Sequence, residues 1–128
     1  MNKKIENFRD LNIWQNGKEI VKAVYEITKR SPDYELYGLT AQMRRAAVSI
    51  PSNVAEGFYR YHDKEYIQFL RIALGSCGEL ETQIEIAFDL KYIDETERQK
   101  LVEMIISECK MLKSLLNKLE QKNQNSKC

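Results

Sequence analysis

The fold of this chain is decided by the stretch Tyr37-Gly-Leu-Thr-Ala-Gln-Met-Arg-Arg-Ala-Ala-Val-Ser-Ile-Pro-Ser-Asn-Val-Ala-Glu-Gly57. Apolar residues recur in it every three or four positions, which is the period of one face of an α-helix. A separate polar row follows the same spacing. The pattern therefore predicts an amphipathic helix that buries one side. The apolar row comprises Leu39, Met43, Ala46, Ala47, Ile50, Val54 and Phe58, and the polar row comprises Gln42, Arg45, Ser49, Asn53, Glu56 and Arg60.

Pro51 lies in the interior of this predicted helix. Proline has no amide hydrogen, so the bond to the Ala47 carbonyl is lost and the ring is pushed toward that carbonyl. We therefore expect the second helix to be kinked at Pro51. Because an interior proline costs stability, we also expect a local compensation, such as a kink that fits a partner.

Three further helical segments surround this one. The first is predicted from about residue 11 to 29, the third from Asp63 to about residue 90, and the fourth begins at Asp94-Glu-Thr-Glu97, which resembles a capping box. Asp63 is the expected N-cap of the third helix and Gly57 the expected C-cap of the second. Short connections favour antiparallel neighbours. The chain is thus predicted to be all-α, an antiparallel up-down-up-down four-helix bundle.

A length of 128 residues fits a single domain, with flexible ends expected at about 1–7 and 121–128. The formal charge of +1 argues against a strongly electrostatic nucleic-acid binder, so such a role would need a local basic patch. No signal peptide or membrane span is recognisable. Three cysteines without a CxxC motif indicate reduced thiols in the cytoplasm, with Cys77 and Cys109 as small core residues.

The residues expected of an enzyme are missing from the pattern. His62, the single histidine, falls in a predicted loop, which leaves no partner for a nucleophilic serine and excludes a di-iron carboxylate site. Glu81 and Glu85 lie one turn apart, and the simplest interpretation is a solvated or arginine-paired helix side. We therefore predict a non-enzymatic protein without cofactor or metal.

The more specific functional hypothesis is that a modest basic patch binds nucleic acid. Arginines suit phosphate, and aromatics alternating with a cation suit stacking on unpaired bases. The alternatives remain open, because Arg45 can instead pair with Glu79 or Glu81, and the aromatics can simply pack at a helix junction. Lys64 could extend the basic strip. The candidate residues are Arg44, Arg45, Arg60, Arg71, Tyr59 and Tyr61.

The apolar stripes on the first, third and fourth helices are wider than the core of a single bundle requires. This predicts a second buried surface, and hence a homo-oligomer. The alternative is an ordinary broad core face. Gly75 and Gly78 each cost about 1 kcal/mol relative to alanine inside a helix, so we expect them at a close helix contact. The candidate packing or oligomer contacts are Gly75, Gly78, Pro51 and Trp14.

The motifs resemble those of a known family. Besides Tyr37–Gly57, they are Phe8-Arg-Asp-Leu-Asn-Ile-Trp14, Phe69-Leu-Arg-Ile-Ala-Leu-Gly-Ser76 and Glu79-Leu-Glu-Thr-Gln83. Together they resemble the four-helix-bundle family of 23S rRNA intervening-sequence proteins over roughly residues 8–119. A related branch is formed by the accessory variability determinant proteins of diversity-generating retroelements, which bind nucleic acid and a reverse transcriptase through basic surfaces.

The resemblance implies a bacterial homopentamer with a central channel and supplies no catalytic residues. The near-neutral charge of this chain departs from the nucleic-acid-binding branch. Our prediction is a homo-oligomer, pentameric by resemblance, that engages RNA or a nucleic-acid-processing protein through a basic patch. The alternative is a protein–protein scaffold without nucleic acid.

Overall fold

The computed structural model describes residues 5–60 and 62–125, with the side chains of 123–125 excepted. Four α-helices make up most of this part of the chain: α1 spans Asn12–Thr28, α2 Leu39–Phe58, α3 Asp63–Asp89 and α4 Glu95–Asn125. Two short 3₁₀ turns, Phe8–Asp10 and Asp33–Glu35, precede α1 and α2. No strand occurs in the described residues. The all-α prediction is confirmed.

Each helix packs against its neighbours in sequence, and α1 also closes against α4. The ion pairs between α3 and α4 fix the direction of the chain, because Glu85 contacts Arg98 near one end and Asp63 contacts Lys122 near the other. The two helices are thus antiparallel. This arrangement is the predicted up-down four-helix bundle. None of the described helices is long and apolar enough to cross a membrane.

The core consists of the residues that the helical period placed on the inner faces. Ile20, Ile50, Leu80 and Ile105 represent the four helices, and each is completely buried. Cys77 is buried as predicted, while Cys109 is half-buried against the same core. Burying a side chain of this size stabilises the fold by about 1.5–3 kcal/mol. These core contacts hold the four helices together.

The capping box at the start of α4 is confirmed. The Asp94 amide donates to Glu97 Oε1 at 3.0 Å, and the Glu97 amide donates to Asp94 Oδ1 at 2.8 Å. Glu97 also accepts a hydrogen bond from the Arg30 guanidinium beyond the end of α1. One carboxylate therefore both caps α4 and joins it to the segment that follows α1.

Two predicted helix caps were wrong. Asp63 is the first residue of α3 rather than its cap, and His62 at the N-cap position makes no side-chain capping bond. Gly57 lies inside α2, and Tyr59 follows as the C-cap. α4 is helical to Asn125, and the expected flexibility of the end at about 121–128 stays a prediction.

Pro51 is buried, and α2 continues through it. A Cβ on Gly17 of α1 would lie 3.4 Å from both Pro51 Cβ and Ile50 Cγ2. The absence of a side chain at Gly17 therefore lets α1 pack closely on α2 beside the proline. This contact compensates in part for the hydrogen bond that proline removes. The kink itself stays a prediction.

A carboxylic acid lies in the middle of the bundle. Glu108 of α4 is completely buried, and its Oε1 accepts a 3.0 Å hydrogen bond from Asn16 Nδ2 of α1. Its Oε2 has no hydrogen-bond partner, and a Cβ on Gly17 would lie 3.4 Å from that oxygen. Burial raises the pKa of Glu108 to about 7, although the Asn16 bond opposes this. The fold thus favours the protonated acid.

Candidate nucleic-acid interface

The structure does not bring the four predicted arginines together. Arg44 points to α1, where Nε donates to Thr28 Oγ1 at 3.0 Å and the guanidinium covers the Tyr25 ring at 4.6 Å. Arg71 of α3 is ion-paired with Glu120 of α4. The four arginines therefore do not form one patch within a single copy, and their contacts with nucleic acid stay a prediction.

Arg45 is exposed on the outside of α2. No ion pair in the described part of the chain joins it to Glu79 or Glu81, which was the alternative interpretation of this residue. Fifteen residues separate it from Arg60, or about 22 Å along a helix at 1.5 Å per residue. Arg45 is accordingly available to a partner, but not to the same short ligand as Arg60.

Aromatic side chains converge instead at one end of the bundle, where Phe8–Asp10 packs over the beginning of α1 and the end of α2. The Phe8 ring lies between Trp14, at 5.2 Å between centroids, and Tyr59, at 5.6 Å, both edge-on. Phe58 continues the group, with its centroid 5.8 Å from that of Tyr59 and 6.4 Å from that of Tyr66. Edge-to-face contacts of this kind add about 0.5–1.5 kcal/mol each.

We call this group the end cluster; its aromatic residues are Phe8, Trp14, Phe58, Tyr59, Tyr66 and Phe69. Tyr59 is the most exposed ring of the end cluster, with 64% of its surface accessible. Burial raises the pKa of Tyr66 to about 12, so its hydroxyl keeps its proton at neutral pH. Tyr61, the other predicted tyrosine, lies outside the described residues.

Three cations lie over the faces of these rings. Arg9 covers Phe8 at 4.6 Å, Lys18 Nζ is 5.1 Å from the Trp14 centroid, and Arg60 covers Phe69 at 4.8 Å. Arg60 is also paired with Glu56 at 3.2 Å. In the described residues no carboxylate pairs with Arg9 or Lys18. Their charges can therefore be shared between a ring and an incoming anion.

Two grooves open beside the end cluster and meet at Trp14 and Lys18. One, of about 340 Å³, runs between α1 and α2. It is mostly apolar, and it is lined by Phe8, Trp14, Lys18, Val21, Val48, Pro51, Ser52 and Ala55. The other, of about 580 Å³, is lined by Arg9, Trp14, Gln15, Lys18 and Glu19. Its two cations outnumber its one carboxylate, so an apolar slot beside it suits a planar ring that carries a phosphate.

Phe8, Arg9 and Lys18 were not among the predicted residues. They are 41 to 51 positions away from Tyr59 in the sequence, so the aromatic segment near residue 60 gave no sign of them. A signal was present nonetheless, because Phe8-Arg9 just before α1 and Trp14 with Lys18 inside α1 also combine an aromatic residue with a cation. Trp14, predicted as a packing contact, packs against Phe8 at one edge of the end cluster.

Gly75 and Gly78 do not form a close contact within one copy. A Cβ built on either would meet no atom within 4 Å, and both residues are exposed on α3. Packing against a helix of the same chain is therefore not their role. Contact with another copy stays a prediction. Among the described residues, no group of three or more histidine, cysteine, aspartate or glutamate side chains could hold a metal ion.

The chain matches the family model described as 23S rRNA-intervening sequence protein over residues 9–114. The chain belongs to this family. The match includes all of α1, α2 and α3 and most of α4, so the resemblance noted from the motifs is confirmed. It also includes Arg9, Trp14, Lys18 and Tyr59 of the end cluster.

A solved structure supports the same fold for the intervening-sequence protein. It is described as a protein with unknown function from the S23 ribosomal protein family of Bacteroides thetaiotaomicron. The two superpose with a TM-score of 0.76 at 20% identity, over 81% of this chain and 97% of that one. At this identity the likeness shows the fold alone. No curated protein matches the chain.

Proposed function

We propose that this intervening-sequence protein is a non-enzymatic homo-oligomer that engages single-stranded RNA through the end cluster. The observation that carries the proposal is Tyr59, an exposed ring that packs on Phe8, in a cluster where Arg9 covers Phe8 and Arg60 covers Phe69. Unpaired bases stack on such rings, and phosphates bind arginine and lysine. The two free thiols of the core suit a reducing compartment, and we place the protein in the cytoplasm.

The charge of the chain limits how tightly RNA can be held. With a formal charge of +1, binding has to come from the local cations at the end cluster rather than from long-range attraction. We expect two or three phosphate contacts, which on single strands give a log–log salt slope of about −0.7 for each contact. Binding should therefore be visible at low salt and weaken markedly at physiological salt.

Replacing Tyr59 with alanine is expected to weaken RNA binding about five- to hundredfold, because one base loses its stacking partner. Fluorescence anisotropy with a short labelled single-stranded RNA measures this directly. Tyr37→Ala is the matched control, since Tyr37 is 94% exposed and lies before α2, at the other end of that helix. Lys18→Gln should reduce the salt slope by about 0.7, whereas Lys113→Gln should leave it unchanged.

Absence of RNA binding by the wild type at low salt would refute the proposal and favour the protein–protein scaffold. Equal loss of binding in Tyr59→Ala and Tyr37→Ala would show that RNA binds elsewhere. The scaffold hypothesis predicts that a protein partner captured from lysate is recovered in equal amount with and without nuclease treatment.

The homo-oligomer is supported by apolar side chains that one copy leaves exposed. Val48, Ile72, Ile86, Leu90 and Ile106 all keep more than a third of their surface accessible. The family resemblance suggests five copies. Light scattering of the purified protein should therefore give about five times the 15.1 kDa protomer mass. A monomer at micromolar concentration would overturn the assembly.

A further inference from the structure

The apolar groove between α1 and α2, which we call the slot, is built from two matching rows of side chains. Within each row the members are three or four positions apart, so they share one side of their helix. The α1 row consists of Trp14, Lys18 and Val21, and the α2 row of Val48, Ser52 and Ala55. The α2 row has short side chains, and the neighbouring Pro51 is buried, so open space remains between the two helices.

The slot has the size and composition of a site for one flat ring. Its volume of about 340 Å³ lies at the lower end of the range of about 300–1,000 Å³ that small-molecule sites occupy. Phe8 and Trp14 contribute aromatic surface, and Val21 and Val48 contribute aliphatic surface. Among the described residues that line the slot, Ser52 is the single uncharged polar one. A nucleobase, which has apolar faces and polar edges, is matched to these walls.

The second groove adds two cations to the slot. Lys18 and Trp14 line both grooves, and Arg9 lines the second. The main chain at Arg9 is fixed to α1, because Gln15 Nε2 donates to the Arg9 carbonyl at 2.8 Å. The Arg9 guanidinium donates one hydrogen bond to Asn7 Oδ1 at 3.3 Å, and a guanidinium has five N–H donors. Neither Arg9 nor Lys18 is paired with a carboxylate in the described residues, so both remain available to an anion.

Carboxylates near the two grooves limit this attraction to direct contact. Glu19 lines the second groove, where it pairs with Lys22 at 3.5 Å. Glu6 and Asp10 belong to the same N-terminal segment as Arg9 but line neither groove. Opposite charges this close together largely cancel at a distance. A phosphate therefore gains from the two cations only when it lies in the groove itself, beside a ring that fills the slot.

We propose that the two grooves hold the terminal nucleotide of an RNA chain that ends in a phosphomonoester, with the base in the slot and the phosphate on Arg9 and Lys18. The inference rests on the RNA binding proposed above and names the part of the RNA that the site selects. A phosphomonoester carries a charge of about −1.5 to −2 at neutral pH, whereas each internal phosphodiester carries a single charge. Two unpaired cations at one groove therefore favour the phosphorylated end.

The end cluster continues the path of the strand beyond the slot. Phe8 lines the slot and also packs on Tyr59, with 5.6 Å between the ring centroids. A strand whose last base lies in the slot can therefore place a neighbouring base on the exposed face of Tyr59. The slot and Tyr59 thus have different roles, since Tyr59 stacks on any unpaired base and the slot recognises the end of the chain.

The first test compares short RNAs of uridine alone that differ only in their ends, which carry a 5′-phosphate, a 3′-phosphate or hydroxyl groups. With an internal fluorophore, anisotropy at low salt should show about fivefold tighter binding of one phosphorylated RNA than of the hydroxyl RNA. The preferred end gives the direction of the bound strand. Equal affinity for all three would overturn this inference and leave RNA binding intact. Absence of any RNA binding would refute the proposed function as well, even if free uridine monophosphate bound.

The second test uses the ionisation of the phosphate. Its second proton is lost with a pKa of about 6, so at lower pH the monoester carries one charge, as a diester does. The preference for the phosphorylated RNA should therefore be complete at about pH 7.5 and mostly lost at about pH 5. In the described part of the chain the charged residues lining the two grooves are Arg9, Lys18 and Glu19, and no histidine is among them. A preference that is unchanged at about pH 5 would overturn the proposed phosphate contact.

Two substitutions separate the base from the phosphate. Ser52→Leu fills the slot from an exposed position of α2 and should weaken binding of the preferred phosphorylated RNA about tenfold. Ser107→Leu, at an exposed position of α4 outside both grooves, is the matched control, and circular dichroism should show equal helicity for the two. Lys18→Gln should reduce the preference for the phosphorylated end to less than about twofold, and Lys18→Arg should restore it. Equal RNA binding by Ser52→Leu and Ser107→Leu would show that the slot holds no base.

Discussion

Glu108→Gln is expected to remove most of a fall in stability that the wild type undergoes between about pH 4.5 and pH 7. Below the ordinary pKa of 4.5 the carboxyl is protonated in both the folded and the unfolded chain, so burial has no ionic penalty. As the pH rises toward the folded pKa of about 7, only the unfolded chain loses its proton, and folding becomes less favourable. Above that pH the loss is complete, at about 3 kcal/mol.

Glutamine retains the acceptor for Asn16 Nδ2 and has no charge to lose. The free energy of unfolding of Glu108→Gln, relative to the wild type, should therefore increase by about 3 kcal/mol between about pH 4.5 and about pH 8. Urea denaturation at one fixed protomer concentration measures this difference. Glu103→Gln on the exposed side of α4 serves as control and should follow the wild type at every pH. Parallel curves for Glu108→Gln and wild type would show that the buried acid does not titrate as described.

Gly57→Ala is expected to destabilise the protein by about 1–3 kcal/mol, although alanine is the better helix former by about 1 kcal/mol. A Cβ on Gly57 would lie 2.8 Å from Phe69 Cβ and 2.9 Å from Tyr66 Cδ1. Phe69 Cβ is attached directly to the backbone of α3, so it cannot move without shifting that helix. The new methyl group therefore separates α2 from α3 next to the end cluster.

The matched control is Gly78→Ala in α3, where a Cβ would meet nothing within 4 Å. There the gain in helix propensity is unopposed, and stability should rise by up to about 1 kcal/mol. Thermal unfolding at equal protomer concentration would thus shift in opposite directions for the two substitutions. If Gly57→Ala melts at or above the wild-type temperature, α2 and α3 are less closely packed than the distances indicate.

The helices of this protein could be predicted from sequence because their signals are local. The spacing of Leu39, Met43 and Ile50 is sufficient to define the buried side of α2, and the exchange of hydrogen bonds between Asp94 and Glu97 needs no distant residue. Gly57 shows where local reasoning fails. A glycine near a helix end is usually a cap, but here it is required by Tyr66 and Phe69 of the next helix.

The candidate site was harder to predict because its parts are joined only in three dimensions. Tyr59 was named from its local sequence, whereas Phe8 packs on it from the N-terminal part of the chain, and Lys18 joins the cluster only through Trp14. The burial of Glu108 could also have been predicted from sequence. Glu108 lies three residues after Ile105 and four before Leu112, at a position where this helix otherwise places aliphatic residues.

The buried carboxyl of Glu108 influences the transient opening of the bundle. The side chain of Glu108 meets α1 at Asn16 and Gly17, so any excursion that parts α1 from α4 would admit water to its free oxygen. Water stabilises the ionised carboxylate, and alkaline conditions therefore favour that excursion over the closed state. The seam between the first and last helices is thus the place where proton release and transient opening of this molecule are coupled.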